Sequence, residues 1–327
     1  MTTTGNSSSS YYGTVTAHNT ANSRNNNTNK GLHDTHHNTY SYSSEAQPLL
    51  HSNITMSTDT TTPLGLTKTP SPGKPTSRLR RYLTNDIDRT HADLILIICY
   101  LITGLLDSSS ISIWGSFVSM QTGNTVYTGL GLAAPHESTR WIKSGTSLLA
   151  FCLGSFLFSR FHRLFSSPKA RWVLCASFAM QFCFCVAAAA VVTVSGKPKD
   201  MEAIEWHVLL PIALLAFQSC GQAVTSRALK YNALTSVVLT SIYCDLFSDQ
   251  ELFKLRNVER NQRVGAPVFL FLGALFGGFF AHTDFGVAGA LWMAAGLKLV
   301  VIVLWLVWPA EKPKPVAAQH PNGLERA

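Results

Sequence analysis

Six apolar runs, each close to the length that crosses a lipid bilayer, constrain this chain more than any other feature. A spanning helix needs about 20 apolar residues, and the runs cover about 93–115, 144–161, 171–194, 207–227, 264–282 and 286–308. Because the lipid interior offers the backbone no hydrogen-bond partners, segments of this kind are typically helical. The sequence therefore predicts an all-α polytopic membrane domain over about residues 91–310.

The segment that precedes the apolar runs has a very different composition. Residues 1–77 are rich in Ser, Thr, Asn and His and contain few large apolar side chains. Such a segment cannot bury enough apolar surface to offset the loss of chain entropy on folding. We therefore expect a disordered tail over residues 1–90 and a second, short tail over 311–327. Much of the net charge of +8 lies beside the apolar runs, which favours an orientation signal over nucleic-acid binding.

Two further apolar runs, about 122–134 and 233–247, are too short to span. Each would form about 20 Å of helix, whereas the hydrocarbon core is about 30 Å thick. If neither run crosses, the basic loops 160–171, 227–232 and 248–263 all fall on the side of the basic segment before the first span. The positive-inside rule then predicts two short non-spanning helices and places both termini in the cytosol.

The order of the runs also suggests an inverted repeat. Each half reads as one span, one short run and two further spans, with an offset of roughly 112 to 120 residues. Three crossings in each half would invert the second half relative to the first, which is a recurrent transporter design. The alternative is that any six-helix protein divides into two similar halves.

The first short run begins with polar and small residues at positions 121–125, read as QTGNT. Irregular backbone at membrane depth is tolerated only where protein buries it or where it lines a wet cavity. We expect a break at 122–125, then a helix from about Val126 whose N-terminus holds an anionic or polar group. A matching break is predicted at 232–236. The alternative is an ordinary capped turn at the membrane surface.

A family resemblance rests on the same stretch. Gly104-x-x-Asp107, followed by Phe117-Val118-Ser119-Met120 and by Thr122-Gly123-Asn124-Thr125-Val126, resembles the signature of the YoaK-like membrane proteins, the group of domain of unknown function 1275. The resemblance extends over about 92–310. It implies a multi-spanning membrane protein and no established activity. The second half keeps Gln218 of the family's Gly-x-Gln-Asn pattern but has Ser219 in place of the Asn.

Two ionisable residues lie about midway along predicted spans. Such residues are costly in lipid and suggest a function. Asp107 in the first span is a candidate proton carrier or counter-ion, or else a helix-packing group. Lys298 in the last span is predicted to pair with Asp107, or with Asp245 in the second short run.

Amides and glycines mark candidate contacts between spans. Gln218 and Gln222 are one turn apart and share a helix face. We expect them to meet Gln121 or Asn124, either as a bridge between helices or as ligand-binding groups. The spacing Gly273-x-x-x-Gly277 predicts a close helix contact.

The tail contains one sorting pattern. Glu45, Leu49 and Leu50 fit an acidic dileucine motif, which a sorting adaptor would bind if the tail is cytosolic. The alternative is a chance match, because the motif is short.

The functional hypothesis follows from these features. No nucleotide-binding loop, nucleophile elbow, zinc motif or catalytic triad stands in the sequence, so we expect neither an enzyme nor a cofactor. The sequence favours a secondary transporter or permease for a small polar or anionic solute, in the plasma membrane or an internal membrane such as the vacuolar one. The alternative is a non-transporting adaptor or assembly factor that acts through its tail. The candidate solute-binding residues are Asp107, Gln121, Thr122, Gly123, Asn124, Thr125, Gln218, Gln222 and Lys298.

Overall fold

The computed structural model describes residues 78–165, 167–196, 200 and 202–311, and this part of the chain is almost entirely helical. The helices are α1 (Arg78–Thr84), α2 (Asp93–Trp114), α3 (Gln121–Ala133), α4 (Arg140–Arg163), α5 (Arg171–Ser195), α6 (Trp206–Ala228), α7 (Thr240–Phe247), α8 (Val258–Ala281) and α9 (Gly286–Val307). Six of the helices in these ranges, α2, α4, α5, α6, α8 and α9, are long and apolar enough to cross a membrane. They confirm the predicted all-α membrane fold with six spans.

The two short runs also form helices that are too short to span. α3 has 13 residues and α7 has 8 residues, or about 20 and 12 Å of helix. α7 begins at Thr240 rather than near 233, because residues 231–239 form an irregular connection. The prediction of two short non-spanning helices is therefore confirmed, with a later start for the second.

Described structure begins before the predicted boundary at residue 90. Residues 1–77 and 312–327 lie outside the described residues, and α1 and the segment after it lie within them. Ile87 is fully buried, and its N–H donates to the carbonyl of Lys169 at 3.1 Å. The N–H of Asp88 donates to the carbonyl of Pro309 at 2.9 Å. The boundary at 90 was wrong because average composition hides the single apolar anchor at Ile87.

Contacts between helix ends show which ends share a face. Gln262 near the start of α8 donates to Asp93 at the start of α2, at 3.1 Å. Arg171 at the start of α5 donates to the carbonyl of Trp308, just after α9, at 2.6 Å. We call this side, where α2, α5 and α8 begin, the basic face. It gathers the basic loops 160–171, 227–232 and 248–263, as the non-crossing arrangement requires.

The helix packing follows the predicted repeat. If α2 to α5 are matched with α6 to α9, the contact of α2 with α8 corresponds to that of α6 with α4. The contact of α2 with α9 corresponds to that of α6 with α5, and α3 packs on α4 as α7 packs on α8. The contacts α2–α6 and α5–α9 map onto themselves. These correspondences are what a two-fold relation between the halves produces; the contact of α8 with α9 is an exception, because α4 and α5 do not pack to a similar extent.

Glycines set the closest helix contact, between α2 and α8. A β-carbon on Gly273 would lie 2.0 Å from the carbonyl oxygen of Leu101, and one on Gly277 would lie 2.7 Å from that of Leu105. Gly104 faces α8 in the same way, because a β-carbon there would collide with the carbonyl oxygen of Leu270. The predicted Gly273-x-x-x-Gly277 contact is therefore confirmed, and the α2 backbone lies directly against α8.

Candidate functional site

The connection between α2 and α3 turns back into the helix bundle. Gly115 ends α2 with φ of 72°, and its N–H donates to the carbonyl of Ile111 at 3.1 Å. The chain then returns to Asp107, whose Oδ1 accepts the N–H groups of Val118 and Ser119, each at 2.8 Å. Asp107 lies two turns before the end of α2, or about 10 Å into the bundle. We call residues 115–120 the first re-entrant loop.

An amide network fixes the other side of the first re-entrant loop. Asn124 is fully buried; its Oδ1 accepts the Phe117 N–H at 3.1 Å and its Nδ2 donates to the Phe117 carbonyl at 2.8 Å. Nδ2 of Asn124 and Nε2 of Gln121 also donate to Oγ of Ser147 on α4, at 3.0 and 3.3 Å. These bonds satisfy backbone groups that lipid would leave without partners.

α3 starts inside the bundle and leaves on the face where it entered. Its first residues contact Ser147, two turns into α4, whereas Gly131 at its other end packs against Trp141 at the start of α4. Arg140 donates through Nε to the carbonyl of Gly115, so α2 ends and α4 begins on one face. The chain therefore enters the bundle before α3 and leaves it after α3 on the same face, opposite the basic face.

The predicted position of the first break was wrong. Residues 122–125 are helical, and α3 starts at Gln121 rather than near Val126. Asn124 supports the irregular segment from within the first turn of α3, so the polar residues follow the break rather than form it. Thr122 and Thr125 are exposed on the outer side of α3, and Gly123 packs against the ring of Phe117.

The expected anion at the start of α3 is a side chain of the protein itself. The carboxylate of Asp107 accepts the free N–H groups that precede α3, which is where an anionic ligand would be held. Asp107 therefore occupies the position at the start of α3 where the sequence predicted a solute anion.

A second re-entrant loop, residues 229–239, matches the predicted break at 232–236. Ser236 has φ of 62°, in the left-handed region. Its Oγ accepts from Nε2 of Gln222 at 3.4 Å, and the same nitrogen donates to Oγ1 of Thr103 at 3.1 Å. Gln222 lies six residues before the end of α6, much as Asp107 lies seven before the end of α2. The two halves thus use equivalent positions to hold their re-entrant loops.

The sequence predicted that Gln218 and Gln222 would contact Gln121 or Asn124. The structure shows no hydrogen bond between these two pairs of side chains. Both atoms of the Gln218 amide lack a hydrogen-bond partner within the described residues, and this side chain is fully buried. α6 instead reaches the first re-entrant loop through Ser219, whose Oγ donates to the carbonyl of Val118 at 2.9 Å. The predicted partners, Gln121 and Asn124, instead donate to Oγ of Ser147 on α4.

Lys298 does not pair with Asp107 or Asp245. Its Nζ donates to Oε1 of Gln181 on α5 at 2.6 Å and lies 5.2 Å from the ring centre of Phe178. No ion pair among the described residues involves Lys298 or Asp107. Asp107 turns toward the first re-entrant loop, and Asp245 is exposed on α7. The pairing prediction was wrong because Oδ1 of Asp107 accepts from loop backbone, and Lys298 bonds Gln181 instead.

These side chains form one buried layer near the helix midpoints. We call it the central polar layer; its members are Thr103, Asp107, Gln181, Gln218, Gln222 and Lys298, all at most 5 % exposed. The layer has one part on α6, with Gln218 and Gln222, and another on α5 and α9, with Gln181 and Lys298. The two parts are in contact at Gly221 of α6, where a β-carbon would lie 2.7 Å from Nε2 of Gln181. Four buried atoms of the layer have no hydrogen-bond partner in the described ranges: Asp107 Oδ2, both amide atoms of Gln218, and Gln222 Oε1.

Sequence reasoning missed several parts of this arrangement. Ser147 follows Ser144-Gly145-Thr146 and Ser236 follows Thr235, and nothing in these short polar stretches marks either serine as a contact that holds a loop. Nothing in the sequence around Gln181 indicates that its amide would bond Lys298. Within the described part of the chain, no group of three or more His, Cys, Asp or Glu is arranged to hold a metal ion.

Together, six spanning helices, two re-entrant loops and a buried polar layer define a multi-pass α-helical membrane protein. Residues 95–304 match the family model described as "Protein of unknown function (DUF1275)". Since the match covers well over half of the 327 residues, the chain belongs to this family. No curated protein and no solved structure matches the chain.

Proposed function

We propose that this protein is a secondary transporter or permease that binds a small polar solute at the central polar layer. One observation carries the proposal: the amide of Gln218 is fully buried at the middle of α6, yet neither of its polar atoms has a partner among the described residues. A buried, unpaired amide costs folding free energy. Polar groups of this kind within a membrane domain typically mark a solute path.

Neighbouring groups give the proposed site its chemistry. Oε1 of Gln222 and Oδ2 of Asp107 supply further acceptors without partners, and the Gln218 amide supplies both a donor and an acceptor. This set suits a solute with hydroxyl, amide or amino groups. Asp107 fills the start of α3, which favours a neutral polar or cationic group there; Lys298 is the candidate partner for any anionic group of the solute.

The inverted packing supports transport over a purely structural role. Two halves of opposite orientation that meet at a midplane site allow the site to open to either side by a rocking motion. The re-entrant loops lie on opposite faces of the site: the first enters beside the start of α4, and the second enters from the basic face. Each loop is therefore placed to close one entrance.

Orientation and location remain part of the proposal. The clustering of basic loops on one face supports a cytosolic basic face and cytosolic termini. The membrane is proposed to be the plasma membrane or an internal one such as the vacuolar membrane. The sorting motif at Glu45, Leu49 and Leu50 lies outside the described residues, and adaptor binding there is proposed on the sequence alone. We propose no enzymatic activity.

Solute uptake by proteoliposomes tests the transport proposal. The full chain is reconstituted, a polar metabolite extract is added outside, and the solutes that enter are measured by mass spectrometry. Wild type is expected to accumulate a defined solute above empty liposomes. Gln218→Leu is expected to abolish that uptake without a loss of thermal stability, because Gln218 makes no hydrogen bond that the change removes.

A matched control separates the site from general damage. Gln250→Leu makes the same change at an exposed loop glutamine and is expected to transport like wild type. Normal uptake by Gln218→Leu would contradict the proposed site. If wild type moves no solute while deletion of residues 1–77 alone changes the cell, the adaptor hypothesis replaces transport.

A further inference from the structure

A separate cavity opens on the basic face between the ends of α4 and α6. It has a volume of about 510 Å³, and its polar lining comes from Ser159, His162, Arg163 and Arg227. Arg163 is the last residue of α4, and Arg227 is the penultimate residue of α6. The cavity therefore lies where two spanning helices leave the hydrocarbon core, at the level of the lipid head groups.

The two arginines of this cavity are uncompensated. The side chains of Arg163 and Arg227 form no ion pair and no hydrogen bond within the described residues. Other basic side chains on this face do have partners. For example, Nζ of Lys169 lies 2.7 Å from Oε2 of Glu311, and Nη1 of Arg263 lies 3.1 Å from Oδ2 of Asp249. Two unpaired guanidinium groups beside one cavity favour a ligand that brings its own negative charge.

His162 gives a second, independent indication of a ligand. It lines the same cavity and is 4 % exposed; its Nδ1 makes no hydrogen bond of good geometry among the described residues, although the backbone of Pro168, on the same cavity wall, also faces the ring. Its Nε2 lies 3.4 Å from Oγ of Ser177. A buried ring nitrogen on the wall of a cavity can bond an oxygen atom that enters the cavity.

The surroundings favour a lipid over a soluble anion. Leu164, next to Arg163, is 77 % exposed at the same level. A second cavity of about 180 Å³, lined by apolar side chains that include Phe158, Phe161 and Phe217, lies deeper along α4 and α6. A phospholipid places a phosphate at the head-group level and its acyl chains deeper, which matches this order of basic and apolar cavities.

We propose that this cavity binds the phosphate-bearing head group of an anionic phospholipid, with Arg163 and Arg227 as the charged contacts. The site is distinct from the central polar layer and does not depend on transport. Binding there would fix the ends of α4 and α6, the pair that holds one half of the repeat against the other.

Native mass spectrometry of the full-length protein tests this inference. Delipidated protein in detergent is titrated with phosphatidylserine or with phosphatidylcholine, and the bound fraction is measured. Wild type is expected to prefer phosphatidylserine. The double variant Arg163→Gln/Arg227→Gln is expected to lose that preference, at about fivefold in apparent affinity for each arginine removed. Arg163→Lys/Arg227→Lys, which keeps the charge, is expected to retain most of it.

Arg160→Gln is the matched control, because Arg160 lies on the same helix over the ring of Phe156 and outside the cavity. It is expected to bind like wild type. An equal loss in Arg160→Gln, or no preference in wild type, would overturn the proposal. A competition with inorganic phosphate separates the two sources of the charge: displacement of the lipid by millimolar phosphate would assign the cavity to a soluble anion and overturn the lipid assignment.

Discussion

The structure accommodates its two buried intramembrane ionisable side chains in different ways. One carboxyl oxygen of Asp107 accepts two backbone N–H groups of the first re-entrant loop, much as a helix N-terminus binds a carboxylate. Lys298 has one strong partner, the neutral amide of Gln181. Charged hydrogen bonds of both kinds offset part of the cost of removing an ion from water. Each charge is thus held locally, and neither needs the other.

Lys298 and Gln181 should respond unequally to substitution. Gln181→Leu leaves the buried ammonium without its acceptor and is expected to destabilise the protein by about 3 kcal/mol. Lys298→Met leaves only a neutral amide oxygen unpaired and removes a buried charge, so a smaller loss of about 1 kcal/mol is expected. The double variant is expected to recover toward wild type. The apparent melting temperatures of wild type, the two single variants and the double variant in detergent measure this ranking of stability.

Lys254→Met, at an exposed lysine of the α7–α8 connection, serves as the control and should leave the melting temperature unchanged. A loss for Lys298→Met equal to or above that for Gln181→Leu would contradict the assignment of Gln181 as its main partner.

At the scale of elements, hydropathy alone located the spans but not the turns within them. The six long helices follow from apolar length, since lipid imposes helix on any spanning segment. The start of α3 could not be predicted, because the side chains that support the first re-entrant loop come from α2, α3 and α4 together. The Asp107–Lys298 pairing failed for a related reason: which faces of two helices meet is decided by packing, and Gly104 directs that part of α2 toward α8.

A glutamate joins two connections on the face opposite the basic face. Glu202 accepts from the N–H of Thr139 at 2.6 Å, from Oγ1 of Thr139 at 2.7 Å and from Oγ of Ser138 at 3.1 Å. These bonds, the backbone N–H first, hold the pKa of Glu202 below its ordinary value. The segment before α6 is thereby tied to the start of α4.

The stabilising effect of Glu202 should disappear in acid. Because its pKa is lower in the folded state than in the unfolded chain, its contribution is present above the ordinary glutamate pKa of about 4.3 and is lost as pH falls through the folded value. Glu202→Gln is therefore expected to lower the melting temperature at pH 7, and the difference from wild type should shrink toward zero below about pH 4. Unfolding over a pH series measures it.

Glu137→Gln is the comparison for this series, because Glu137 is exposed in the connection between α3 and α4, which also holds Thr139 and Ser138. It should follow wild type at every pH. A wild-type advantage over Glu202→Gln that persists or grows in acid would contradict the bonding assigned to Glu202.

At the scale of the whole molecule, two similar halves meet at a layer that is closed in this structure. Gln218 and Lys298 have no exposed surface, and the two re-entrant loops lie toward opposite faces. A transporter of inverted repeats passes through such a closed state between outward-open and inward-open forms. A structural membrane protein with the same helices would keep its centre buried at all times.

Accessibility of position 218 tests this difference most directly, and it needs no knowledge of the solute. Gln218→Cys is introduced into a chain whose native cysteines are replaced, and a membrane-impermeant thiol reagent is added to either side of reconstituted vesicles. Alternating access predicts labelling at 218 from both sides, while Ala188→Cys, buried in the core of α5, stays unlabelled. Protection of position 218 from both sides, or equal labelling at 188, would contradict a solute path through the central polar layer.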